Sequence, residues 1–456
     1  MSVQLPAASQ LPRHRGALAF GARRGRQQWI ETIGLESIEH GTPVSRRSRF
    51  MAGSVAKQFL GAAAVRVVKE GRASFDTPVA NYVPSLRLPN VTLEQLLNHT
   101  SGLRETEALF ALAGVRENDF VSAEDHLEAV TLQVNPIAPP GARFSYANIN
   151  YIVLVELLKA LTGERFADLV SRLVFEPAGL DATTFVDRPD AIIAHRCDSY
   201  RLTEGTLRRG QSTIPIAGPS GLWASPQDLL RWGSIRQQFI KDVPHMNLED
   251  SECGGLCGWP WARSGQYVAG LVQADSKYGH VVGHPGDDQG YSAQLLRIGV
   301  VDLVALSSAA DTRAADLITD LWVMEEFRQT ISDDSTFMAA RSISATLLAE
   351  RLQMPARDDS KSRRVHRTEE PPAELEGVYE CEEALAPLTV QIEGTSLIVL
   401  RGTHRDVLNP IGPGRWSGPG YVVAFNEGEA GAIDLALRRA GTLRFTRQRE
   451  RRQLGP

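Results

Sequence analysis

Residues 355–371 constrain this chain more than any other stretch. They read PARDDSKSRRVHRTEEP, charge and proline with Val365 as the lone large aliphatic residue. A segment with so little apolar surface cannot offset the conformational entropy lost on folding, so it reads as a linker. The chain has 456 residues, too many for one ordinary domain. The linker therefore parts a domain over 1–354 from a smaller one over 372–456.

Hydrophobic periodicity differs on its two sides. Beyond the linker, GVYECEE, LTVQIEGTSLIVL, GYVVAFNE, AIDLALRRAG and TLRFTRQ alternate apolar with polar residues between glycine-rich turns. That period of two predicts a small all-β domain, a barrel. Ahead of the linker, residues 15–50 read as hairpin strands and 48–71 as a buried helix. TLEQLLNHTSGL reads as a helix stopped by Gly102, and NINYIVLVELLKALTG as a second apolar helix closed by Gly163. Ser-Pro in GLWASPQDLLRWG marks a capped helix start. From about 266 to 308 the pattern is β, and a helix follows near 312–329. The fold class is α+β, an antiparallel sheet flanked by helices followed by a small all-β barrel domain.

The helix at 48–71 carries the first chemistry. Val55, Ala56, Phe59, Leu60, Ala63, Ala64, Val67 and Val68 cover most of its circumference, yet Ser54 and Lys57 sit at its first turn. Lysine is almost never buried without a reason, and the chain holds only six lysines. Residues three apart share a helical face, so the Lys57 amine can lie beside the Ser54 hydroxyl. An apolar setting disfavours the charged amine and makes it a usable base, which a serine nucleophile requires. The backbone N–H of Ser54 at a helix N-terminus also suits an oxyanion.

One S-x-x-K arises easily by chance, so its company matters. LLNHTSGL, FSYANINYIVLVELL, GPSGLWASPQDL and GHPGDDQGYSAQ follow in order. With S-V-A-K, Y-A-N and H-P-G as an ordered triplet, residues 15–330 resemble serine hydrolases of the penicillin-binding protein and class C β-lactamase type, closest in motif form to D-aminopeptidases. The tail resembles the lipocalin-like barrel that some of these enzymes append. The resemblance implies a transpeptidase-type fold with Ser54 as acylated nucleophile, Lys57 as proton acceptor and Tyr146 as proton shuttle to the leaving group. It implies that Asn148 binds the acyl-side amide of the substrate, an asparagine that also suits a helix cap. His284, in the third motif on a strand bordering the cleft, is implied as a further catalytic residue. Gly286 admits the substrate backbone, and the Asp287 N–H serves as second oxyanion donor. His99 invites a Ser–His reading, but in the family that motif is a structural turn, and GPSGLW is a supporting loop. No G-x-S-x-G, phosphate loop or H-E-x-x-H occurs.

Relatives that grip a substrate carboxylate use lysine in the third motif. Here His284 is followed by Asp287 and Asp288, carboxylates that repel a carboxylate and attract an ammonium. The expectation is a D-stereospecific aminopeptidase or amidase on small D-amino-acid amides or short peptides. Carboxylesterase, β-lactamase or DD-carboxypeptidase, and a catalytically silent binding or sensor protein are the alternatives. A net charge of −5 gives no field for nucleic acid, and no apolar run spans a bilayer. The first 25 residues lack the apolar core of a signal peptide, so a cytoplasmic address is expected, without nucleic-acid or membrane partners and with a homodimer as an option. Cys253 and Cys257 stand as C-x3-C with no second ligand pair, which reads as loop thiols; no metal or cofactor is expected.

Overall fold

The structure, a computed structural model, describes residues 16–116, 119–188, 190–203, 206–210, 216–288, 290–309, 312–353, 371–394, 396–412, 414–425, 432–437 and 440–448. All but the final residue of the expected linker lie outside them. The chain divides into two compact units. One takes the described residues of Met1–Thr77 and Leu154–Arg357, the other those of Pro78–Val153 and Asp358–Pro456.

The first unit is built on a nine-stranded antiparallel sheet. Its order is Thr42–Pro43, Gln27–Ser37, Ala17–Arg24, Val301–Ser307, Tyr291–Ile298, Gly279–Asp288, Leu271–Ser276, Arg263–Val268 and Met246–Asn247. The interior strand Val301–Ser307 is buried along its whole length, which requires cover on both faces. Successive residues of its neighbour Ala17–Arg24 show that cover. Phe20 meets Phe327 of the Glu325–Ser332 helix edge-on at 6.1 Å. A methyl group on Gly21 would lie 2.9 Å from Leu230 of the Pro226–Ile235 helix. The latter helix starts as expected, Ser225 accepting from the Asp228 N–H at 3.1 Å.

Three helical expectations change. The 48–71 helix is a strand Phe50–Met51, a 3-10 turn Gly53–Ala56 and an α-helix Lys57–Lys69. Gly53 at φ +48° is the reason, since a left-handed residue cannot continue a right-handed helix. The helix near 312–329 is two, Ala314–Val323 and Glu325–Ser332, parted at Met324, whose ψ of 111° is extended. The helix expected to reach Gly102 ends after Leu97, because His99 is left-handed at φ 54°. Asn148–Thr162, by contrast, is helical as read.

The second unit holds an eight-stranded closed antiparallel barrel between Gly377 and Arg447. Alternation runs inward and outward as the sequence suggests: Leu443 and Phe445 are buried while Thr442, Arg444 and Thr446 are exposed. Two of its strands, His404–Gly412 and Arg415–Gly418, were not legible, because Pro410 and a dense scatter of charge and glycine hide their period.

In this unit the helix Ala123–Thr131 presents His126 to the helix Thr106–Leu112. Its Nδ1 lies 2.6 Å from Thr106 Oγ1, and Phe110 meets the ring edge-on at 5.0 Å. Burial pushes this imidazole down to about 4, outweighing the opposing pull of Asp125. An unfolded histidine titrates near 6.5. Between those values the unfolded chain binds a proton that the folded ring refuses. Stability is therefore whole above about pH 6.5, falls as pH drops toward 4, and loses about 3 kcal/mol at the bottom. Thermal melts of wild type and His126→Gln between pH 7.5 and 4 should differ by that slope. Parallel curves would mean that His126 does not carry it. Among the described residues no helix is long and apolar enough to cross a membrane.

Candidate active site

In the first unit the site begins at the Gly53–Ala56 turn. The strand Phe50–Met51 pairs with Leu222–Ala224, and the Ala52 N–H donates to Leu222 O at 2.8 Å, fixing the chain just before Ser54. Lys57 opens the α-helix and is wholly buried. Its amine donates to Ser54 Oγ at 3.0 Å and to the Pro219 carbonyl at 3.0 Å. The helix is anchored beneath it. Phe59 stacks on Trp232 at 4.5 Å, and a methyl group on Gly61 would stand 2.2 Å from Ala269 O, so only glycine lets that turn approach. Gln58 Oε1 accepts from Arg236 Nη1 at 3.0 Å, and Arg236 Nη2 donates to Val282 O at 2.7 Å. Burial pushes the Arg236 guanidinium down to about 10, still a cation at neutral pH. One buried arginine thus ties the helix of Lys57 to the strand Gly279–Asp288.

That strand carries the third motif. It pairs with Leu271–Ser276 only as far as Gly283, opposite Val272. Beyond, residues 285–287 run against the turn of Ser54. A methyl group on Gly286 would lie 2.0 Å from Ala52 O and 2.8 Å from Ser54 N; one on Gly53 would lie 2.8 Å from Asp287 N. The Ser54 and Asp287 N–H groups therefore border one close contact between turn and strand. Alternation puts His284, Gly286 and Asp288 on one face and Asp287 on the other. His284 is buried, its Nδ1 2.6 Å from Pro285 O and its Nε2 3.5 Å from the Tyr267 hydroxyl. A proton on Nδ1 satisfies the first contact and leaves Nε2 to accept from Tyr267. Asp288 accepts a hydrogen bond from the Ser220 hydroxyl, next to the carbonyl that holds Lys57. Asp287 is exposed and lies 3.8 Å from Arg313.

Tyr146 and Asn148 belong to the second unit. His99 braces the loop on both sides of Tyr146. Its carbonyl accepts from the Ser145 N–H at 2.8 Å, its Nδ1 from the Ala147 N–H at 3.2 Å, and its ring lies 4.4 Å from the Tyr146 ring. Asn148 begins its helix under two carboxylates. Its N–H donates to Glu105 Oε2 at 2.6 Å and its Nδ2 to Glu107 Oε1 at 2.8 Å. Pro219, Ser220, Arg236, Glu105 and Glu107 escaped the sequence reading. Only the first two had a signal, the glycines bracketing GPSGLW; the glutamates lie more than forty residues from Asn148, and no local pattern links them.

The cysteines expected in a loop sit on the helix Asp250–Cys257, both buried, and burial pushes the Cys257 thiol up to about 12. Among the described residues no three His, Cys, Asp or Glu side chains group as a metal site.

An antiparallel sheet with helices on both faces, and a buried lysine at the head of one of them beside a half-buried serine in the preceding turn, defines the class of the penicillin-binding protein and β-lactamase folds. The chain belongs to the Beta-lactamase family, whose model matches residues 7–316. It is 27% identical over 328 residues to a D-aminopeptidase of Cereibacter sphaeroides, covering 69% of this chain and 61% of that protein. The chain thus spans about three fifths of that relative's length. Among solved structures, SurE superposes with a TM-score of 0.58 at 20% identity, covering 96% of this chain and 95% of that one. A D-stereospecific amidohydrolase from Streptomyces sp. gives 0.53 at 24% identity, covering 65% and 90%. At those identities the likeness is one of fold.

Proposed function

We propose that the protein is a serine hydrolase acting through an acyl-enzyme on Ser54, with D-amino-acid amides and short peptides bearing a free N-terminal D-residue as substrates. The observation that carries the reading is the buried Lys57 amine, 3.0 Å from Ser54 Oγ and equally close to Pro219 O. A neutral amine in that position gives one N–H to Pro219 O and turns its lone pair to the serine hydroxyl. Ser54 Oγ attacks the substrate carbonyl carbon as its proton passes to Lys57 Nζ. The oxyanion forms against the N–H groups of Ser54 and Asp287. The C–N bond then breaks, the departing amine taking its proton through Tyr146, and water releases the acyl group from Ser54.

Asn148 takes the binding role that the family resemblance implies, and His284 stands with Ser54, Lys57 and Tyr146 among the catalytic residues. Asp288, on the face of Gly286, is the carboxylate suited to a substrate ammonium; Asp287 points to the other face. The D-aminopeptidase relatives support the same substrate class.

The test is hydrolysis of D-alanine p-nitroanilide, its L-enantiomer, p-nitrophenyl butyrate and a chromogenic cephalosporin by wild type and Ser54→Ala. Cleavage of the D-anilide but not the L-form, lost in the variant, is the expected result. Turnover of butyrate alone would make the protein an esterase, and of the cephalosporin alone a β-lactamase. Failure of a fluorophosphonate to label Ser54 would remove the enzyme reading altogether.

A further inference from the structure

We infer that the helix Thr106–Leu112 is the plug of the C-terminal barrel, and that through this helix the barrel positions Asn148. The second half rests on the binding role proposed for Asn148. Leu109 and Leu112 come from far outside the barrel sequence, yet they are 0% and 3% exposed within one apolar cluster with Val399, Trp416, Leu435 and Phe445. The barrel core is thus completed by the chain's own leucines. A barrel filled this way is a mount, whereas one that carries a ligand keeps a cavity.

Both ends of the short helix are fastened to barrel strands and turns. Just before it, Arg104 Nε donates to Glu383 Oε2 at 2.7 Å and Arg104 Nη1 to Ala440 O at 2.7 Å, all in buried surroundings. Gln133 grips the same residue, its Oε1 accepting from the Arg104 N–H at 2.8 Å and its Nε2 donating to the Arg104 carbonyl at 3.2 Å. At the far end Arg401 donates to the Ala111 carbonyl, where a cation also suits the helix dipole. Arg401 is itself held by Asp406, which accepts from the Tyr421 hydroxyl at 2.7 Å.

The next residue after Arg104 is Glu105, which accepts from the Asn148 backbone, and Glu107 on the first turn accepts from the Asn148 side chain. A seven-residue helix is about 10 Å of rigid rod, so a shift at the barrel is transmitted undiminished to both carboxylates. Glu105 and Glu107 are positioning residues, and Arg104, Glu383 and Arg401 hold them. Buried ion pairs suit such a purpose, since they contribute little net stability while demanding one geometry.

The test compares wild type with Glu383→Gln, which removes the buried counter-charge of Arg104, and with Arg401→Lys at the other end. Two readouts are taken: the kinetics of D-alanine p-nitroanilide against p-nitrophenyl acetate, and backbone hydrogen exchange of segments 144–151 and 52–60. Both variants are expected to raise KM for the D-anilide about tenfold, the equivalent of ~1.4 kcal/mol. The acetate kcat should stay within about twofold, since the ester carries no nitrogen group on its acyl side for Asn148 to orient. Exchange should quicken at 144–151 and stay unchanged at 52–60. Unchanged exchange at 144–151, or equal quickening of both segments, overturns the inference. If wild type cleaves no D-anilide, the proposed substrate falls instead, and the exchange comparison alone decides whether the barrel holds Asn148.

Discussion

Lys57→Met is expected to lower kcat for the D-anilide by about 10²- to 10⁴-fold, the range that a positioned general base contributes. Methionine matches the stem of lysine in length and has no charge to bury, so the buried site suits it at least as well. The Ser54 hydroxyl and the Pro219 carbonyl each lose the amine as partner. A thermal midpoint within a few degrees of wild type, with activity reduced by that factor, would separate the chemical role of the amine from a structural one. Activity within threefold of wild type would remove Lys57 from the mechanism. A fluorophosphonate assay run alongside reads the same step without any assumption about substrate, because it requires only an activated serine.

Gly286→Ala is the second large effect. Its methyl group would lie 2.0 Å from Ala52 O and 2.8 Å from Ser54 N, and both are backbone atoms that no rotamer can move aside. The strand must withdraw from the turn, at about 1–3 kcal/mol of overpacking. On the proposed mechanism withdrawal takes the Asp287 N–H from the oxyanion, worth about 10²–10³ in kcat. Gly255→Ala is the control. It sits on the helix Asp250–Cys257 with open space around it, so alanine should stabilise by up to about 1 kcal/mol. Serine labelling at the wild-type rate in Gly286→Ala, with an unchanged midpoint, would show that strand and turn do not meet as closely as described.

Much of this architecture was legible locally, and for a local reason. Alternation in TLRFTR and the unbroken apolar run in the helix beginning NINYIVLV follow from which side of an element is buried, and burial is written residue by residue. The pairing of Ser54 with Lys57 was readable too, since three residues bring two side chains together in any helical turn. The serine was expected at the head of the α-helix and lies instead in a 3-10 turn, a difference set by the single left-handed Gly53.

What the chain order could not convey is every contact made across it. Pro219 holds the lysine amine from 162 residues away, Arg236 ties Gln58 to Val282, and Glu105 and Glu107 hold Asn148. The clearest instance is Leu109 and Leu112, which no motif or period singled out and which complete the core of a barrel that begins more than 250 residues later. Spacing along a helix or strand specifies which residues share a face. What that face meets depends on where the chain returns, and no periodicity encodes the return. The apolar periods and the nearness of Ser54 to Lys57 therefore belong to the sequence, whereas the grouping of Pro78–Val153 in one compact unit with the barrel was decided by the fold. The partners that hold those residues in place came only with the folded backbone, because hydrogen bonds and packing act over ångströms in space, whatever the separation along the chain.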